Sequence, residues 1–71
     1  MRPIPEIWTR TYQGGRRARL FQNQRMWELE VVDPNGHTTI RAPSWQTLVQ
    51  AQDTLDRLVG RVPLGEWRRL I

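Results

Sequence analysis

The sequence predicts an α+β domain: a four-stranded antiparallel meander with one α-helix packed across one face. Three observations predict it. Turn signals at Gly14-Gly15, Asn23-Gln24 and Asp33-Pro34-Asn35-Gly36 divide residues 6–42 into four short segments rich in strand formers. The third segment, 26–32 (MWELEVV), alternates: Trp27, Leu29 and Val31 fall on one face, Met26, Glu28 and Glu30 on the other. After Ala42-Pro43-Ser44 the apolar period becomes helical, through Leu48, Ala51, Leu55, Leu58 and Val59.

The elements follow in order. Pro3 and Pro5 make residues 1–5 an irregular start. Residues 6–12 (EIWTRTY) form the first strand, and Gly14-Gly15 turns the chain because both residues accept positive φ. Residues 16–22 form the second strand, Asn23-Gln24 the next turn, and residues 26–32 the third strand. Pro34 presets φ and Asn35-Gly36 accepts positive φ, so the chain reverses again into a fourth strand, 37–42. Ser44 is the expected N-cap of a helix from Trp45 to Val59, and Gly60 its left-handed stop. Pro63 permits a short second helix within the C-terminal segment 61–71, with Leu64, Trp67, Leu70 and Ile71 on one side. At 71 residues there is room for a single domain, 1–71.

Two-residue hairpin loops set the expected registers. Tyr12 faces Arg17, Arg10 faces Arg19 and Trp8 faces Phe21. Across the next turn Phe21 faces Met26, Arg19 faces Glu28 and Arg17 faces Glu30. Across the third, Val31 faces Ile40 and Glu30 faces Arg41. One face then collects Ile7, Thr9, Ala18, Leu20, Trp27, Leu29, Val31, Ile40 and Ala42, and the helix covers it. An odd third loop would turn Ile40 outward. The opposite face carries three rows: Tyr12, Arg17, Glu30, Arg41; Arg10, Arg19, Glu28, Thr39; and Trp8, Phe21, Met26.

Composition excludes several kinds of chemistry. The chain has 11 Arg, no Lys, 7 carboxylates, one His and no Cys, for a net charge of +4. Disulfides, thiolate metal sites and thiol nucleophiles are ruled out, and one His cannot build a His-rich metal site, so no cofactor or metal is expected. No apolar run exceeds two residues, so neither a transmembrane helix nor a signal-peptide core is expected, and the expected compartment is the cytoplasm. The preference for Arg fits GC-rich codon usage and also fits bidentate contact with carboxylate or phosphate. Its charge is unevenly placed: +5 over residues 1–25, −4 over 26–56 and +3 over 57–71.

No catalytic constellation emerges, and the chain is not expected to be an enzyme. Glu28 and Glu30 sit between Arg residues that hold both ionised. Ser44 is explained as a cap, and Gly14-Gly15 as a turn with no phosphate-loop context. Asp33, Asn35 and Gly36 lack the downstream Glu of a calcium loop.

The expected function is therefore binding. The leading expectation is a protein or nucleoprotein partner on the exposed sheet face. Trp8, Phe21 and Met26 are its apolar anchors and Arg10, Tyr12, Arg17 and Arg19 its polar rim. The like-charge pair Arg10–Arg19 would welcome an acidic group between its members. The alternative is a nucleic acid, bound by Arg10, Arg16, Arg17, Arg19 and Arg25 around the first hairpin and by Arg61, Arg68 and Arg69 near the C-terminus. Trp8, Tyr12 and Phe21 would stack on bases. Residues 45–56 carry no basic side chain, which rules out a helix reading the major groove. A second alternative is self-association, a homodimer burying the aromatic strip with Gly65, Trp67, Leu70 and Ile71. Residues 61–71 are too short to hold the protein on a membrane.

In overall build, without a shared motif, the chain resembles small phage and mobile-element proteins that inhibit host defence complexes, anti-CRISPR proteins among them. That resemblance implies a protein that works by occupying a surface. The strand order is also similar to that of the arm-binding domains of phage integrases, a likeness of fold alone.

Overall fold

The computed structural model describes residues 5–71; the expected irregular segment 1–5 lies outside the described residues except for Pro5. Six elements follow one another: β1 (Ile7–Thr11), β2 (Arg17–Asn23), β3 (Met26–Val32), β4 (Thr38–Ser44), α1 (Leu48–Val59) and β5 (Arg68–Arg69). The strands form one antiparallel sheet in the order β4-β3-β2-β1-β5. The fold is α+β: β5 extends the four-stranded meander to a five-stranded sheet, and α1 packs on one face of it.

The short C-terminal helix does not form. After Gly60 the chain returns along the free edge of β1, where Trp8 pairs with Arg69 and Thr9 with Arg68. Tyr12 bridges to Pro63. Gln13 N–H donates to Val62 O at 2.8 Å, Leu64 N–H to Thr11 O at 2.9 Å and Leu70 N–H to Ile7 O at 2.7 Å. An isolated helix this short is marginal in water, whereas the bare edge of β1 offers a row of unpaired backbone groups. The edge wins.

The first hairpin differs from expectation by one residue, and this reorganises the molecule. Its loop is three residues long, Gln13 to Gly15: Tyr12 N–H donates to Arg16 O at 2.8 Å and Gly15 N–H to Tyr12 O at 3.2 Å. Trp8 therefore faces Leu20, Thr9 faces Arg19 and Arg10 faces Ala18. A one-residue slip moves every side chain of a strand to the other face. Trp8, Arg10 and Tyr12 turn towards the helix, and Ile7, Thr9 and Thr11 turn away. The two glycines have φ of 88° and 84°, a conformation that serves a two- or a three-residue loop, so the turn residues alone do not choose. Burial chooses. Tyr12 becomes fully buried and Trp8 packs against the core, more apolar area than Thr9 and Thr11 can offer in exchange.

The second hairpin turns on Gln24-Arg25, with Gln24 at φ 58°, instead of on Asn23-Gln24. This shift of two residues keeps the faces but changes the partners: Arg19 faces Glu30, Phe21 faces Glu28 and Arg17 faces Val32. The third register is as expected, with Val31 opposite Ile40 and Glu30 opposite Arg41. Its loop is nevertheless odd, Pro34 to Gly36, closed by Asp33 N–H donating to His37 O at 2.9 Å. A bulge opposite Val31 and Val32 absorbs the extra residue, so Ile40 still packs on the core.

The helix starts later than expected. Its N-cap is Thr47, in place of Ser44, because Thr47 and Gln50 form a reciprocal capping box. Gln50 N–H donates to Thr47 Oγ1 at 3.3 Å and Thr47 N–H to Gln50 Oε1 at 3.1 Å. Ser44 stays in β4 opposite Trp27. Gly60 closes the helix at φ 63°, as expected. Ala51, Leu55 and Val59 bury against Tyr12, Ala18, Leu20, Trp27, Leu29 and Val31. Leu58, part of the expected stripe, is exposed.

A polar junction fastens the helix to β1. Tyr12 Oη donates to Asp56 Oδ1 at 2.5 Å, and Arg10 Nη1 to Asp56 Oδ2 at 3.1 Å. Arg10 Nε also donates to Gly65 O at 2.8 Å, tying in the C-terminal segment. Burial, and then the hydrogen bond to Asp56, push the Tyr12 phenol above its ordinary value. A raised phenol contributes stability that is complete below the unfolded value near pH 10 and disappears as pH rises towards the folded one. Urea unfolding at pH 8 and at pH 11 should therefore show stability falling at the higher pH. Tyr12→Phe should cost about 1 kcal/mol at pH 8 and remove most of that fall. An unchanged pH dependence in Tyr12→Phe would place its cause elsewhere.

Candidate functional site

Only one face of the sheet lies under α1; the other is open. Across it the registers align one row through all five strands: Arg41, Glu30, Arg19, Thr9 and Arg68. On the β4–β3–β2 side the charges cancel. Arg19 Nη2 meets Glu30 Oε2 at 2.8 Å, and Arg41 meets Glu28 at 3.0 Å and Glu30 at 3.8 Å. The hydrogen bond to Glu28 raises the Arg41 guanidinium above its ordinary value. Glu30 is 6% exposed and holds two arginines at once.

The β1–β5 side is different. The register puts the short side chains of Thr9 and Thr11 on β1, between Arg17 and Arg19 on β2 and Arg68 on β5. Together they line a trough of about 390 Å³. Arg17 faces Val32, and neither Arg17 nor Arg68 makes an ion pair or side-chain hydrogen bond among the described residues. At the end of the hairpin Arg16 and Arg61 line a smaller hollow of about 260 Å³ with Gln13 and Gly14, and they too lack carboxylate partners among the described residues.

The expected partner site is divided by this geometry. Arg17, Arg19, Phe21 and Met26 do lie on the open face or at its end. Trp8, Arg10 and Tyr12 do not: Tyr12 is 0% exposed and Arg10 is held by Asp56. Trp8 packs against the core, with its indole N–H donating to Glu6 Oε2 at 3.2 Å. The Trp8–Phe21–Met26 strip and the Arg10–Arg19 like-charge pair therefore do not form, because both depend on the two-residue first loop. Arg69, opposite Trp8, is on the helix side and pairs with Glu6 at 3.3 Å. Arg25 sits in the second turn, where with Gln24, Met26 and Trp45 it lines a concavity of about 520 Å³.

Thr9, Thr11 and Trp45 were not legible as surface residues. Thr9, Arg10 and Thr11 are consecutive polar residues, so alternation cannot say which of them face inwards. Trp45 lies beyond the β4 strand and before the true N-cap, and is 77% exposed. Among the described residues no three His, Asp or Glu side chains group as metal ligands, and no helix is long and apolar enough to cross a membrane. Comparison with known proteins finds no matching family model, and no curated protein or solved structure similar enough to count as a match.

The two β2 arginines should behave differently when removed. Arg19→Ala leaves the buried Glu30 with only its longer contact to Arg41 and should destabilise by about 1 kcal/mol. Arg17→Ala breaks no ion pair and should stay within about 0.5 kcal/mol of the parent in urea unfolding. Equal losses would mean that the Arg19–Glu30 pair contributes nothing.

Proposed function

We propose that this chain is a non-enzymatic binding protein that holds a nucleic acid against the open face of its sheet. The observation that supports this most directly is the pair Arg17 and Arg68 flanking the Thr9–Thr11 trough without carboxylate partners among the described residues. Guanidinium groups left free on an uncovered face favour phosphate, and their counterion release supplies the affinity. Arg16 and Arg61 extend the positive surface around the hairpin end. The rest of the sheet is self-neutralised, so the positive field is concentrated on one side.

Fluorescence anisotropy with labelled mixed-sequence DNA and RNA, at low and at physiological salt, tests this reading. Arg17→Ala with Arg68→Ala should weaken binding about tenfold at low salt. Arg57→Ala, which removes only a helix-surface pair with Asp53, should leave affinity within about twofold. Glu30→Gln should strengthen binding, because it releases Arg19 and Arg41 towards the ligand. If binding at low salt is absent, the reading fails.

A protein or nucleoprotein partner, as for an inhibitor that occupies a surface, is favoured by one observation. Trp45 stands exposed beside Met26 and Arg25, the residue types that anchor interface cores. Trp45→Ala with Met26→Ala should leave nucleic-acid affinity within about twofold. A defined partner that binds the parent and is lost from this variant, with nucleic-acid binding absent from both, would move that reading ahead.

A further inference from the structure

We infer that the trough seats one sugar–phosphate strand of a nucleic-acid duplex and does so without regard to base sequence. This rests on the nucleic-acid reading above and specifies its ligand.

The shape is the first reason. The floor of the trough is β1, carrying only Thr9 and Thr11. Arg17 and Arg19 from β2 and Arg68 from β5 flank it, and Leu70 and the Val32, Gly36 and Thr38 end of the third hairpin complete the lining. The axes of β2 and β5 are two strand spacings apart, about 10 Å. Reading base edges calls for an element that projects into a groove. A recessed floor between cationic walls does the reverse, accepting a convex ridge, and the ridge of a duplex is its phosphate backbone.

The second reason is the donor set. No Asn or Gln lines the trough to read adenine, and Arg19 is already held by Glu30. Thr9 Oγ1 already donates to Ala18 O at 3.1 Å. What remains free among the lining side chains is Arg17, Arg68 and the hydroxyls of Thr11 and Thr38, all suited to phosphate oxygens.

The third reason is that no aromatic ring lines the trough. Trp8, Tyr12, Trp27 and Trp67 belong to or pack on the core under the helix. Trp45 is exposed but lines the separate concavity with Gln24, Arg25 and Met26, which shares no residue with the trough. Phe21 shares the open face but lies beyond Arg19, half-buried, in a hollow lined also by Ile7 and Glu28. Single strands gain much of their affinity from bases stacked on aromatic rings. A duplex instead presents one charge per about 1.7 Å of axis and releases more counterions per contact than a single strand.

Anisotropy decides it, using two labelled duplexes of about 20 base pairs with unrelated sequences, and one of their strands alone, across a salt series. Both duplexes should bind within about threefold of each other and the single strand about tenfold more weakly. Arg17→Ala with Arg68→Ala should reduce the log–log salt slope on duplex by about 2, while circular dichroism shows the fold intact and Arg57→Ala leaves the slope unchanged. A single strand bound as tightly as duplex, or one duplex preferred by more than about tenfold, overturns the inference and leaves the nucleic-acid reading standing. An unchanged slope in the folded double variant also overturns it. Failure of every nucleic acid to bind at low salt removes the inference and the reading together.

Discussion

Asp56 is where the helix, the first strand and the C-terminal segment meet. Its carboxylate accepts from Tyr12 and Arg10, and Arg10 in turn donates to the backbone of Gly65. A partly buried carboxylate is tolerable only when its oxygens are satisfied, and here each has a donor. The junction exists only if Tyr12 and Arg10 point towards the helix. That orientation requires the three-residue first loop, so the register of β1, the docking of α1 and the course of residues 61–71 depend on one another.

The composition of the open face follows from the same constraint. Once β1 turns its large side chains inwards, it shows the open side only Ile7, Thr9 and Thr11. The floor is consequently low, and the arginines of β2 and β5 rise on either side of it. The two-residue shift between β2 and β3 adds the second ingredient. It gives Glu30 to Arg19 and leaves Arg17 opposite Val32, so the carboxylates of the sheet neutralise one half of the face and leave the other positive. Neither effect changes net charge. Both change where the charge is free.

Legibility varied with the range of the interaction. The alternation of 27–31 placed β3, its inward residues and its register with β4 correctly, because Trp27, Leu29 and Val31 on one face alternate with Glu28 and Glu30 on the other. The apolar period after Pro43 placed the helix, and Gly60 its end. The helix start was misread because two residues, Ser44 and Thr47, can each cap, and only Thr47 is followed at the third position by Gln. The strand face of 6–12 was misread because Ile-Trp-Thr-Arg-Thr-Tyr has polar and apolar groups on either alternation. Arg17 and Arg19 were identified as surface residues. The floor between them and Arg68 was not, since it joins residues from three strands, one of them far away in sequence.

The sequence by itself determined the α+β class, the four-stranded order, the helix with its glycine stop, and the surplus of arginine. These rest on interactions between near neighbours: turn conformations, alternation and helical periodicity. Tertiary structure alone decided which face of β1 is buried, that residues 61–71 close the sheet edge, and which arginines keep their charge unpaired. Each of those outcomes compares two locally equivalent arrangements, and the difference lies in area buried and charges matched against residues distant in the chain.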